Sequence, residues 1–219
     1  MIGDADQHQH ALYFDLEFTC WDAAVPVGRK PEIIEIGAVE ADLNSLAIVR
    51  EAAYLIRPRH LDISNRCTSI TGLTRDDLRE APSFEEVFER FVREFDPQRK
   101  LCGTWGRDAN IFSEACRAHG LRTPLRHIVD VGELFWRAFL LRELPGLRAA
   151  VEMLGLEFDG APHMALADAR NTAHVHAAII RRMRRMPDPA PARGAPPAPP
   201  EQPTLLGQKL AQLLDSAGK

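Results

Sequence analysis

Two acids one position apart, Asp15 and Glu17, stand in the apolar run Leu12-Tyr13-Phe14-Asp15-Leu16-Glu17-Phe18. A His-x4-Asp pair, His163 and Asp168, stands near the far end of the chain. Alternation of aromatic and aliphatic residues with charges has the period of a β-strand, so Asp15 and Glu17 point to one face. Two carboxylates sharing a mostly apolar face repel each other and are costly to bury. A divalent cation would offset both penalties. Asp108 follows the run Lys100–Thr104 at the start of a helix, and Asp168 falls in the first turn of another, where the helix dipole favours a carboxylate. Carboxylates arriving from a strand and two helix starts suit two hard cations, Mg²⁺ or Mn²⁺. Two such ions about 4 Å apart can stabilise the attacking and leaving oxygens of an in-line phosphoryl displacement. A neutral imidazole, His163, at the mouth of that site can take the proton from an attacking water. Taken singly, each of these residues has an ordinary reading: D-x-E is common, and Asp at a helix start caps or compensates the dipole. The ordered set is much more specific than its parts. His8, His10, His60, His119, His127, His174 and His176 are read as structural or exposed.

The elements that must position these groups follow from pattern. Ile33–Leu43 and Leu46–Ile56 read as strands joined by a turn at Asn44-Ser45, completing an antiparallel meander with Leu12–Phe18. Ser83 and Glu86 form a capping box ahead of an amphipathic helix over 84–95. Lys100–Thr104 reads as a strand, Asp108–His119 as a helix stopped by Gly120, and Ile128-Val129 as a short buried strand. Helices follow near 131–141, near 146–154 with Pro145 at its start, and from about Ala165 to Arg185. This order predicts an α/β fold, a mixed five-stranded sheet flanked by helices as in ribonuclease-H-like proteins.

The 219 residues, 45% of them apolar, suit one domain and a tail. A net charge of −4 gives no global polybasic character to draw in nucleic acid, so any contact with it is expected to be local and metal-assisted. Cys20, Cys67, Cys102 and Cys116 form no C-x-x-C pair and read as reduced thiols of a cytoplasmic protein. The apolar runs are all too short to span a membrane, and the N-terminal residues lack a signal-peptide pattern. Residues 187–203 hold eight of the sixteen prolines and read as a linker. Residues 204–219 carry a short leucine stripe that reads as an amphipathic segment. Arg181, Arg182, Arg184 and Arg185 close the last helix and compensate its dipole.

These motifs resemble the DEDDh group of 3′→5′ exonucleases. The resemblance rests on Phe14-Asp15-Leu16-Glu17-Phe18-Thr19-Cys20-Trp21, on Thr104-Trp105-Gly106-Arg107-Asp108, and on His163-Met164-Ala165-Leu166-Ala167-Asp168-Ala169. Supporting blocks are Glu32–Val39 and Thr68-Ser69-Ile70-Thr71-Gly72-Leu73-Thr74, and the likeness covers residues 11–182 within a domain of residues 1–186. The Thr-Cys-Trp and Cys-Thr-Ser-Ile-Thr-Gly segments look most like the branch that trims histone-mRNA ends and small RNAs, with bacterial KapD-type relatives. One departure is that those relatives carry one more residue between the Trp-Gly and the acid of the second motif.

The resemblance implies a ribonuclease-H-like fold, two divalent metals and release of nucleoside 5′-monophosphates from single-stranded RNA or DNA 3′ ends. Carried over, it makes Asp15, Glu17 and Asp168 metal ligands, Asp108 a ligand through water, and His163 the general base. Phe18, Thr19 and Trp21 would touch the terminal nucleotide, Thr71-Gly72-Leu73 would wedge its base, and Trp105 is a second stacking platform or a core residue. The expected activity is exonucleolytic, with RNA ahead of DNA. The rival expectations are a DNA-directed repair or proofreading exonuclease and an inactive binding module. Gln202-Pro203-Thr204-Leu205-Leu206 loosely resembles peptides that dock on bacterial sliding clamps. The oligomeric state is left open.

Overall fold

The computed structural model describes residues 8–22 and 24–184. The proline-rich stretch, the leucine stripe, Arg185 and the N-terminal residues read above lie outside the described residues. β1 (His10–Phe18) is central, and the sheet order is β3-β2-β1-β4-β5. β2 (Ile33–Asp42) and β3 (Ile48–Leu55) extend it as the antiparallel meander, while β4 (Leu101–Thr104) and β5 (His127–Asp130) join it in parallel. The β2–β3 turn is built on Asp42, whose Oδ1 accepts from the Asn44 N–H, the Ser45 N–H and the Ser45 hydroxyl.

Between the meander and β4 come α1 (Asn65–Thr71), α2 (Arg75–Arg79) and α3 (Phe84–Phe95). The capping box opens α3: the Glu86 N–H donates to Ser83 Oγ at 3.3 Å and the Ser83 N–H to Glu86 Oε2 at 2.7 Å. α4 (Asp108–Ala118) follows β4, and α5 (Val131–Ala138), α6 (Leu147–Met153) and α7 (Ala165–Met183) follow β5.

Period-two alternation in β1 divides the core. Leu12, Phe14 and Leu16 face α3 and α4, where Phe84, Phe91, Phe95 and Phe112 complete an aromatic cluster. Ala11 and Tyr13 face the other way, toward Phe135, Ala150, Val151 and Val175 of α5, α6 and α7. Asp15 and Glu17 continue that second face.

Several expectations are corrected. Residues 65–71 and 75–79, for which no element was expected, are helical, short segments with too few turns to show a period. β5 forms an edge of the sheet, so Ile128 is 49% exposed where the sequence suggested a buried strand. α6 begins after Gly146, which is its N-cap, so Pro145 stands outside it. The fifth helix stops at Ala138, and α7 ends at Met183 rather than Arg185. Among the described residues, no helix is long and apolar enough to cross a membrane.

Candidate active site

The C-terminal end of β1 delivers Asp15 and Glu17 to the side of the sheet that α7 covers. In the β1–β2 register Asp15 lies opposite Gly37 and Glu17 opposite Glu35. A Cβ at Gly37 would stand 2.1–2.3 Å from the backbone of Ala165 and Leu166, so only glycine lets the first turn of α7 lie this close to the sheet. That turn carries Asp168, whose Oδ2 accepts the His163 N–H at 3.0 Å. His163 has φ +63°, a left-handed backbone that costs about 1–2 kcal/mol for a residue with a Cβ. Asp108 arrives as the first residue of α4, at the carboxyl end of β4, and its carboxyl lies close enough to that of Asp15 for each to shift the other.

Electrostatics describe the same crowding. Asp15 is held well above the usual carboxylate range by burial and by Asp108, Asp168 and Glu17. Burial, then Asp168, Glu35 and Asp108, push Glu17 up to about 8. Burial pushes Asp108 up to about 7, with Asp130 and Asp168 adding to it and the Asp15 contact opposing. Asp168 is raised by burial against the pull of the His163 N–H and ring. Glu35 is a fifth member: burial raises it, the Ala165 N–H lowers it and Asp168 raises it. Ligand atoms of Glu17, His163 and Asp168 lie within 4.8 Å of one another, and Asp15 and Asp108 stand outside that closest trio. This donor set fits hard divalent cations, since oxygen ligands crowded by like charge are what such ions relieve.

A cleft of about 760 Å³ opens over the acids, lined by Asp15, Glu17, His163 and Asp168 and walled by Phe18, Trp105, Arg148 and Phe158. Of the residues expected to touch a nucleotide, Phe18 and Trp105 line it. The others lie elsewhere. Thr19 is buried, with its Oγ1 accepting the Glu32 N–H and its own N–H donating to Glu32 O. Trp21 has an indole nitrogen buried without a partner among the described residues. Thr71 donates its hydroxyl to Cys67 O, Gly72 is the left-handed cap of α1 at φ +74°, and Leu73 packs beside Ile34, Cys67 and Leu78. Sequence reasoning did not single out Glu35, Arg148 or Phe158. Glu35 had a signal, a lone acid on the same period-two face as Gly37.

A family model described as Exonuclease matches residues 12–176. The chain belongs to this exonuclease family. It is 31% identical over 188 residues to ERI1 exoribonuclease 2 of Danio rerio, covering 74% of this chain and 33% of that protein. It is 25% identical over 192 residues to 3′-5′ exoribonuclease 1 of Mus musculus, covering 82% and 55%. The chain thus spans between a third and about half of the length of these curated relatives. Its fold matches the nuclease domain of 3′hExo, a DEDDh family member, bound to rAMP, with a TM-score of 0.72 at 21% identity over 80% of this chain and 93% of that one. Exonuclease X in complex with 5′ overhanging duplex DNA matches with a TM-score of 0.58 at 19% identity, over 78% and 92%. The ribonuclease-H-like sheet expected from the element order is the fold these proteins share.

Proposed function

We propose that this member of the exonuclease family is a two-metal 3′→5′ exonuclease that releases nucleoside 5′-monophosphates from single-stranded ends, RNA in preference to DNA. The observation that carries the reading is the convergence of Asp15, Glu17 and Asp168 at one cleft with His163 on its wall, and Asp108 close enough to Asp15 to raise it. Asp15, Glu17 and Asp168 would hold the ions, and Asp108 would act through water. Mg²⁺ or Mn²⁺ bound there would supply Lewis acidity toward the scissile phosphodiester.

The chain's own residues do the rest. His163 is exposed at the cleft, and a ring nitrogen takes the proton of the attacking water as the new P–O bond forms. The P–O3′ bond breaks, and the 3′ oxygen leaves with a proton from solvent. Phe18 and Trp105 flank the terminal base. Arg148 offers the one guanidinium on the cleft wall for a phosphate oxygen. The preference for RNA rests on the curated relatives, which are exoribonucleases.

A 5′-labelled single-stranded oligonucleotide with Mn²⁺ should give a ladder shortening from the 3′ end. EDTA and Asp15→Ala should each abolish it, and matched RNA and DNA strands should rank RNA first. A ladder from the 5′ end, or one indifferent to EDTA, would overturn the reading.

A further inference from the structure

A second cavity, of about 730 Å³, shares no lining residue with the acidic cleft. It lies beside α3 and α4, and its floor is apolar, made by Ile33, Ile56, Phe84 and Ile111. Its rim carries Arg29, Lys30, Arg57 and Arg59 against Glu32, Glu85 and Glu114, four fixed cations to three acids in a chain of net charge −4. Two of those acids are engaged: Glu32 Oε2 accepts the Arg59 N–H at 2.9 Å, and Glu85 Oε1 lies 2.6 Å from His119 Nδ1. Among the described residues none of the four cations is in an ion pair. Arg29, one of the lining residues, has its Nη1 buried with no hydrogen-bond partner among the described residues. A buried guanidinium nitrogen without an acceptor is costly, and a phosphate oxygen would satisfy it.

The cavity is tied to the acids by short paths through the fold. Glu32 on its wall is hydrogen-bonded through both backbone groups to Thr19, two residues after Glu17. Ile111, Ala115 and Ala118 of α4 line it, and the helical rise places them about 5 to about 15 Å beyond Asp108.

We infer that this cavity is a second subsite for the nucleic-acid strand, seating a base on the apolar floor and phosphates on Arg29, Lys30, Arg57 and Arg59, upstream of the nucleotide held at the acids. Apolar floor and cationic rim together match a nucleotide's two faces, which an acidic peptide would use only in part. The inference rests on the exonuclease reading for its account of which strand enters.

The test uses the full chain and single-stranded RNA of two to twelve nucleotides, with binding measured in EDTA and turnover in Mn²⁺. For wild type, affinity should rise with length. Arg29→Ser/Arg57→Ser should bind the twelve-mer at least tenfold more weakly, with a salt slope shallower by about 0.7 per lost phosphate contact, and should turn over the dinucleotide as wild type does. Arg29→Lys/Arg57→Lys should recover most of the twelve-mer affinity. Unchanged twelve-mer binding by the serine variant, an equal loss on two-mer and twelve-mer, or displacement of the twelve-mer by polyglutamate as readily as by RNA would overturn the subsite. A wild type that turns over nothing yet binds the twelve-mer through these arginines would remove the nuclease reading and keep the subsite.

Discussion

Gly37 and Ala165 touch backbone to backbone: a Cβ on Gly37 would stand 2.1 Å from the Ala165 carbonyl carbon. Gly37 also lies opposite Asp15 in the sheet. The missing side chain therefore sets the distance between the strand that carries two acids and the helix turn that carries another. Glu35, two positions earlier on the same face, lies against that turn, and the Ala165 N–H pulls its carboxyl down against the rise that burial gives it.

Gly37→Ala should accordingly displace the start of α7. Overpacking of this kind costs about 1–3 kcal/mol. The larger effect is expected in function, because Asp168 moves away from Asp15 and Glu17. Mn²⁺ affinity measured by calorimetry should fall by at least tenfold while the circular-dichroism spectrum stays native. Native metal affinity in Gly37→Ala would show that α7 is not positioned by this contact.

Asp168→Asn should separate stability from activity. The amide oxygen still accepts the His163 N–H, while one charge leaves a group of acids that raise one another. Turnover should drop by about 10³ or more, and the metal-free protein should melt at the same or a higher temperature, as at other sites whose function demands electrostatic strain. Differential scanning calorimetry beside single-turnover kinetics reads both quantities. A variant that cleaves at the wild-type rate would remove Asp168 from the metal assignment.

His163 carries two duties that its substitutions tell apart. Its ring is assigned the proton transfer, its N–H holds Asp168, and its φ of +63° is strained. His163→Gly keeps the N–H and relieves the strain, whereas His163→Ala keeps the N–H and the strain. Both should lose about 10²–10⁴ in the chemical step, the usual worth of a positioned base. His163→Gly should unfold at a temperature no lower than His163→Ala, since glycine reaches the left-handed region without a Cβ clash. A single-turnover rate unchanged in either variant would assign the proton to another group.

Much of this arrangement is legible in the residues themselves, and the reasons are local. Asp15 and Glu17 announce a shared face because a strand has a period of two. Asp168 and Asp108 announce themselves by standing where helices start, and Ser83 with Glu86 spells a capping box. Legibility stops where a residue's meaning depends on a distant neighbour. Ile128 reads as buried by composition, yet β5 closes the sheet and leaves it at an edge. Glu35 reads as one acid in an apolar strand until β1 sets Glu17 opposite and α7 supplies an N–H. α1 and α2 are seven and five residues long, so their local marks, caps at Ser64, Gly72 and Thr74, come without enough turns to show a helical period. Which aromatic residues wall the cleft is likewise a tertiary fact: Trp105 and Phe158 come from loops 53 residues apart, while Trp21, next door to the acids in sequence, does not line it.

Stability of the metal-free protein should fall as pH rises from about 4.5 to about 8, because two carboxyls outweigh one histidine of opposite sign. The opposing group is His176, buried beneath the sheet with its Nδ1 2.6 Å from the Tyr13 hydroxyl and pushed down to about 4 by burial. The unfolded chain, with an ordinary histidine at 6.5, binds more protons at this site than the fold between those values, so this group's own contribution grows as pH rises through that window. The carboxyls are Glu17 and Asp108, raised to about 8 and about 7 from ordinary values of 4.5 and 3.8. Here the fold binds more protons than the unfolded chain, and the stability present below the ordinary values is lost as pH rises through the raised ones. Mn²⁺ competes with those protons, so the rise in melting temperature on adding it should be larger at about pH 8.5 than at about pH 6. Glu17→Gln should make the fall toward base shallower, and Tyr13→Phe/His176→Leu should make it steeper between about pH 4 and pH 6.5. Melting curves across pH, with and without Mn²⁺, check all three, and a metal increment independent of pH would show that the acids are already ionised without the ion.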